Sequence, residues 1–332
     1  MPEEDRENFV IQTPEHVAEA EAGMHTLAAP GAGLGLSGSD TYGLTGEAKG
    51  QFRIVAGRFV HQPLPMVGLG VFVLLGLGSV LVGHFWQFNY QDITDNLNDP
   101  PSWTNPFGTN SIGNDMFAQV MAGVQKDIEI ALTVAAIAVL IGVTIGAIAG
   151  FYRGWADSLL MRFVDLVLVV PILAILILLS SKLAKQSSNW LGLALIIGLL
   201  SWTYVARLVR ADFLSLRERD FVEASRALGA TNRRLIVKHM LPNAIGPIIV
   251  NATITVALSI VLESTLSYIG LGIQPPNVSL GLLVDQGQDS ATTEWWLFVF
   301  PVLFLVILIL SIFFIGDGLR EALDPKKNRV RA

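Results

Sequence analysis

The side chains able to do chemistry in this chain are few and scattered. Asp165 and Glu263 are ionisable groups within strongly apolar stretches, where a charge is costly and commonly marks a transport pathway or a structural ion pair. Asp165 stands one helical turn from Arg162, a spacing that lets the two pair on one helix face. Glu263 closes an apolar run that also holds Asn251, Thr255 and Ser259, recurring every four residues. Such a stripe either hydrogen-bonds a neighbouring helix or wets a central pathway; Asn251, Thr255, Ser259 and Glu263 are therefore candidate pathway-lining residues. Asp165 and Glu263 fall toward opposite membrane faces, so they do not form one catalytic cluster. The sequence holds no Walker-type phosphate loop, no His-Glu-x-x-His pair and no Gly-x-Ser-x-Gly elbow, the signatures that ATP hydrolysis, zinc proteolysis and acyl transfer would leave. No enzymatic activity is expected of the chain itself. Its five His are dispersed and it has no Cys, so neither a metal site nor a thiolate nor a disulfide is expected, and no cofactor is implied.

The remaining candidate is the polar stretch from Asp220 to Pro242, the longest highly charged segment between two strongly apolar ones. From Asp220 to Leu228 it has good helix formers throughout, with Phe221, Ala224, Ala227 and Leu228 on one face. Gly229 stops that helix, because glycine accepts the left-handed conformation that a helix C-terminus commonly needs. Thr231 or Asn232 caps a second, basic helix through His239, which Pro242 ends, leaving Asn243 to cap the apolar segment after it. The spacing predicts a charged helical hairpin, 212–243, on the aqueous side of a hydrophobic bundle. A short capped helix with an apolar docking face can transmit a displacement that a flexible loop would absorb.

Glu223-Ala224-Ser225, three residues, Gly229, and then Leu241-Pro242 resemble the cytoplasmic loop motif of permease subunits in binding-protein-dependent ABC importers. That pattern is Glu-Ala-Ala, three residues, Gly, nine residues, Ile, one residue, Leu-Pro. Ser225 and His239 depart from it. Asn105-Pro106-Phe107-Gly108-Thr109 through Gly113-Asn114-Asp115 to Ala122-Gly123 is similar to a stretch of the C-type permeases of dipeptide and oligopeptide importers, with Asn110 in place of an Asp and Asn114 in place of an Arg. Tyr268 to Pro276, Gly316-Asp317-Gly318-Leu319-Arg320 and Leu323-Asp324-Pro325 fit the same subfamily.

The resemblance implies an all-α polytopic protein with six transmembrane helices, the transmembrane domain of a type I ABC importer. It implies half of a translocation path for di- or oligopeptides, completed by a second homologous permease. Two cytoplasmic ATPase subunits would be coupled through Phe221, Glu223, Ala224, Ser225, Ala227, Leu228, Gly229, Leu241 and Pro242. An extracytoplasmic solute-binding protein or lipoprotein would deliver substrate. Nickel or another small solute is the alternative cargo, and a secondary transporter the less favoured class, since repeated halves and ionisable groups at the membrane midplane are not evident.

The elements that would position these residues are set by composition. Hydrophobic residues make up 52% of the chain and charged residues 15%, against roughly 25% charged in a soluble domain; membrane lipid is the expected surrounding. Apolar runs fall at Met66–Gly83, Ile128–Phe151, Phe163–Ser180, Trp190–Val209, Ala244–Leu262 and Trp295–Ile315. Each has at least about 18 residues, the length that spans a hydrocarbon core of roughly 30 Å. Lys and Arg concentrate before the first run, around the hairpin (Arg207, Arg210, Arg217, Arg226, Arg233, Arg234) and after the last run. That bias places both termini and the hairpin in the cytoplasm, in a bacterial inner membrane. Residues 1–50 are expected to be a disordered cytoplasmic tail, 51–127 an N-terminal segment with the first span and a long outer loop, 128–318 a five-helix core and 319–332 a cytoplasmic tail. The net charge of -6 mostly reflects the acidic front segment and implies no nucleic-acid partner.

Overall fold

The computed structural model describes residues 51–183 and 190–323; the tail expected over 1–50 and all but the start of that expected over 319–332 lie outside them. The described chain is helical: α1 (Gln51–Val60), α2 (Pro63–Phe85), α3 (Met116–Tyr152), α4 (Gly154–Val169), α5 (Ile172–Leu183), α6 (Trp190–Arg217), α7 (Asp220–Ala227), α8 (Asn232–Tyr268), α9 (Leu280–Gln288) and α10 (Trp296–Leu323). Five helices, α2, α3, α6, α8 and α10, are each long and apolar enough to cross a membrane, and the bent pair α4–α5 brings the number to six if it is one span. Only 17% and 22% of the most apolar windows of α2 and α10 are buried, so their bare faces suit lipid rather than a further protein core.

The apolar pattern gives the spans, but several boundaries move. The third run is not one helix: α4 and α5 are bent by 73° at their junction. Pro171 lacks the amide that would continue α4, and it pushes Val170 to φ -82, ψ 128, the extended region favoured before proline. Helix α3 begins at Met116 rather than at residue 128, so the outer loop is shorter than expected. The last helix runs through residue 319 to Leu323, so the tail placed at 319–332 starts inside a helix. Between α8 and α10 lies the further helix α9, capped by Ser279, whose hydroxyl accepts from the Leu282 amide.

The most extensive seam among the described helices joins α3 to α6. Gly142, Gly146 and Gly150, spaced four apart, form one stripe along α3. An added Cβ would stand 2.5 Å from Val205 Cβ at Gly142, 2.5 Å from the Ala206 carbonyl oxygen at Gly146 and 2.6 Å from Phe213 Cβ at Gly150. Small residues at this repeat let two helix backbones approach closely, which drives packing where lipid removes the hydrophobic incentive to associate. At about 1.5 Å per residue, α3 is roughly 55 Å long, and it carries a different kind of structure at each end.

At its N-terminus, the segment from Trp86 to Asp115 is held to α3 by Asp115. Its Oδ2 accepts from the Ala118 amide at 3.0 Å and from Trp86 Nε1 at 2.9 Å, and its Oδ1 accepts from Asn105 Nδ2 at 3.0 Å. Trp296 Nε1 donates to the Thr109 carbonyl at 3.2 Å, tying the loop to the start of α10. The two asparagines that replace charged residues of the resembling pattern bond each other: Asn110 Nδ2 donates to Asn114 Oδ1 at 3.1 Å, and the Asn114 amide donates to Asn110 Oδ1 at 2.8 Å.

Candidate functional site

The far end of α3 supports the polar stretch. Phe151 and Ala147 of α3 join Val205, Val209 and Phe213 of α6, Val222 of α7, and Leu235, Met240, Ala244 and Ile248 of α8 in one buried cluster. Arg217 donates to the Phe151 carbonyl and its guanidinium lies 5.8 Å from the Phe151 ring centroid. Arg153 pairs with Glu218, and Arg210 holds Asp157 of α4 through two bonds, of 2.5 and 2.7 Å. The end of α6 that leads into the hairpin is thereby bonded to α3 and α4.

Helix α7 has one buried residue, Val222, at 0% exposure. Phe221 is 40% exposed and Leu228 89% exposed, and Glu223, Ala224 and Ala227 also face solvent. The face expected to carry Phe221, Ala224, Ala227 and Leu228 is therefore not used among the described residues, and the anchor is Val222. The periodicity alone could not reveal this, because an eight-residue helix with apolar residues on two sides has no unique inner face. Glu223 makes no side-chain hydrogen bond among the described residues. It lies with Asp220 in the first turn of α7, where a carboxylate is favoured by the helix dipole.

The helix ends as the residue types require. Gly229 has φ +81, its amide donates to the Arg226 carbonyl at 2.9 Å, and the Ala230 amide donates to the Ser225 carbonyl at 3.1 Å. That pair of bonds is a Schellman cap. Ser225 returns its own hydroxyl to the Phe221 carbonyl at 2.7 Å. Thr231 then caps the next helix, accepting from the Arg234 amide at 3.4 Å.

The second arm differs from expectation. It is not a separate helix ended by Pro242: α8 runs unbroken from Asn232 to Tyr268. A wide π-type turn over Leu235–Met240 shifts the bonding, so that the Leu241 amide reaches the Ile236 carbonyl. Proline has no amide to place and so is accepted where such a turn hands over to α-helix. Asn243, expected as a cap, instead donates to the His239 carbonyl at 2.6 Å. Leu241 and Pro242 thus link the hairpin rigidly to a membrane-length helix.

The intramembrane polar residues are also placed. Asp165 pairs with Arg207 of α6, not with Arg162, because the broken α4–α5 pair packs its charged edge against a neighbouring helix. Thr255 Oγ1 donates to the Asn251 carbonyl at 2.8 Å and Ser259 Oγ to the Thr255 carbonyl at 2.6 Å. Thr255, Ser259 and Glu263 are buried, while Asn251 is half-buried. The hydroxyls of Thr255 and Ser259 turn back onto their own helix, an arrangement that favours packed contact over a wetted wall. Among the described residues no group of three His, Asp or Glu is placed to hold a metal ion.

Comparison with known proteins extends this picture. Residues 142–329 match the family model described as the binding-protein-dependent transport system inner membrane component, and residues 50–101 match the N-terminal TM domain of oligopeptide transport permease C. A Mycobacterium bovis protein named oligopeptide transport system permease protein OppC is 40% identical over 279 residues, 84% of this chain and 96% of that protein. A putative peptide permease protein of Brucella suis is 39% identical over 275 residues, 82% of this chain and 90% of that protein. Among solved structures, a chain of the inward-facing MetNI methionine ABC transporter superposes with a TM-score of 0.52 at 20% identity, covering 63% of this chain and 98% of that one; that likeness is one of fold.

Proposed function

This chain belongs to the family of inner membrane components of binding-protein-dependent transport systems, and from that premise we propose that it is the peptide-conducting half of an importer driven through the α7 hairpin. As a member it is a multi-pass membrane permease subunit of an ABC importer and not itself catalytic. The finer reading is ours: the cargo is di- or oligopeptide, the partners are a second permease, two ATPase subunits and an external binding protein, and both termini and the hairpin lie in the cytoplasm. The observation that carries it is the free face of α7. Glu223, Ala224, Ala227, Phe221 and Leu228 are all exposed on a helix pinned from behind by Val222, so a partner can grip it without unfolding it.

The mechanism rests on stiffness. A groove on an ATPase subunit would take the small residues Ala224 and Ala227 against its backbone, with Glu223 making a charge-assisted bond across the contact. When the ATPase pair closes, α7 moves as a rigid unit. The Schellman cap at Gly229 and the continuous run through Leu241 and Pro242 into α8 deliver that displacement to the membrane bundle, which rocks between inward- and outward-open arrangements.

Charge reversal at Glu223 tests this. In cells carrying Glu223→Lys, peptide uptake per membrane-inserted permease should fall at least about tenfold, the loss expected for one charge-assisted contact of roughly 1.5–3 kcal/mol. Stability should shift by no more than about 0.5 kcal/mol, as for other exposed positions. Wild-type uptake would place coupling elsewhere. Orientation is checked separately in this cysteine-free chain: a single Cys at position 102 should react with an impermeant thiol reagent in intact cells, and one at position 215 should not.

A further inference from the structure

Two carboxyl groups meet inside the bundle, far from the hairpin. Asp127 of α3 and Glu263 of α8 are 1% and 0% exposed, and the start of α9 draws them together: the Leu280 amide donates to Asp127 Oδ2 at 3.4 Å, and a Cβ at Gly281 would stand 2.5 Å from the backbone of Ser264. Among the described residues no Lys, Arg or His pairs with either. Lys126, adjacent in sequence, is taken by Glu129 at 2.6 Å and lies over the Trp190 ring. Two full negative charges in contact, removed from water and without a counter-cation, would carry a very large desolvation and repulsion penalty.

The neighbours of the two groups differ. Glu263 faces two hydroxyls: Ser267 Oγ donates to Oε1 at 2.6 Å and Ser264 Oγ to Oε2 at 3.4 Å. The Ser267 oxygen already accepts the Ile273 amide at 2.9 Å. Its hydrogen is therefore free to point at Glu263, a donor that favours the ionised carboxylate. Asp127 has the Leu280 amide on Oδ2 at 3.4 Å, while its Oδ1 is buried with no donor. An orphaned acceptor next to an acceptor-only carboxylate is resolved by one hydrogen between them.

We propose that Asp127 and Glu263 form a proton-binding site, in which a single proton carried by Asp127 bridges the two carboxyls and ties α3 to α8 and to the N-terminus of α9. Three elements meet at the pair: Asp127 from α3, Glu263, Ser264 and Ser267 from α8, and the Leu280 amide from the start of α9. The bound proton acts as a clip at the end of the bundle remote from the hairpin.

Infrared spectroscopy of the assembled transporter at neutral pH tests the site. The wild type should show the carbonyl stretch of a protonated carboxyl, shifting in heavy water. Asp127→Asn, whose amide supplies the same donor to Glu263, should lose that band and still assemble, whereas Asp127→Leu should assemble poorly. Should Asp127→Asn fail to assemble, isotopic labelling of the aspartate carboxyl carbons in the wild type must move the band. Three results would overturn the proposal: no such band in the wild type, a band untouched by aspartate labelling or by Asp127→Asn, or a wild-type thermal midpoint raised by sodium or potassium over choline in a way that Asp127→Asn abolishes. The last would mean that a metal ion, not a proton, neutralises the pair.

Discussion

At the Asp115 end of α3 the polar side chains bond one another, whereas at the Phe151 end a short helix presents a carboxylate and two large apolar side chains to solvent. Asp115 and Thr109 are fully buried, and Asp115 satisfies three donors from three places in the chain. Helix α7 keeps one residue for the core and leaves the rest. The difference separates a structure completed within one chain from one left open, which in the proposed reading takes a second molecule. Disruption at the first end should be read in stability, and at the second in transport.

The largest expected loss of stability is at Asp115. Asp115→Ala removes the cap of α3 and strands the buried donors of Trp86 and Asn105, together about 3 kcal/mol or more. The permease should be scarce in the membrane and melt early in a thermal-shift assay. A wild-type melting point would mean that the loop does not depend on its own bonds. Next comes Val222→Ala, which opens a cavity behind α7 and should cost about 2 kcal/mol. Phe221→Ala, one residue away on the open side, should stay within about 0.5 kcal/mol, and a reversed order would exchange the inner and outer faces of the helix.

Gly229 stands between the two kinds of effect. No neighbour would meet an added Cβ there, yet φ is +81, so the cost of Gly229→Val is backbone strain alone, roughly 1–2 kcal/mol. Uptake per inserted molecule should fall further than stability does, and Gly229→Asn should retain more of it, because Asn tolerates the left-handed region. The smallest stability effect belongs to Leu228→Ser, within about 0.5 kcal/mol. Binding of the ATPase subunits to membranes containing this variant should nonetheless weaken severalfold; unchanged binding would take Leu228 out of the docking face.

The spans were legible because lipid imposes a long apolar run whatever the neighbours are, and the Gly229 stop because its backbone demand is local. Asp165 illustrates what was not legible. Its i-3 partner Arg162 lies on the same helix, and the choice of Arg207 instead depends on how the broken α4–α5 pair meets α6. Asp127 gave no signal, since its significance lies wholly in Glu263, 136 positions away in sequence, and a lone Asp near the start of a span reads as an interfacial charge.

The sequence by itself determined the helical class, the apolar crossings, the absence of phosphate-binding and metal-binding signatures, and the conformation at Gly229, all of which depend on residue type and short-range spacing. The tertiary structure decided that Val222 and not Phe221 is the anchor of α7, that Pro242 lies within a continuous α8, that Gly142, Gly146 and Gly150 form the α3–α6 seam, and that Asp127 meets Glu263. Periodicity specifies which side chains share a face, but only packing between elements distant in sequence specifies which face finds a partner.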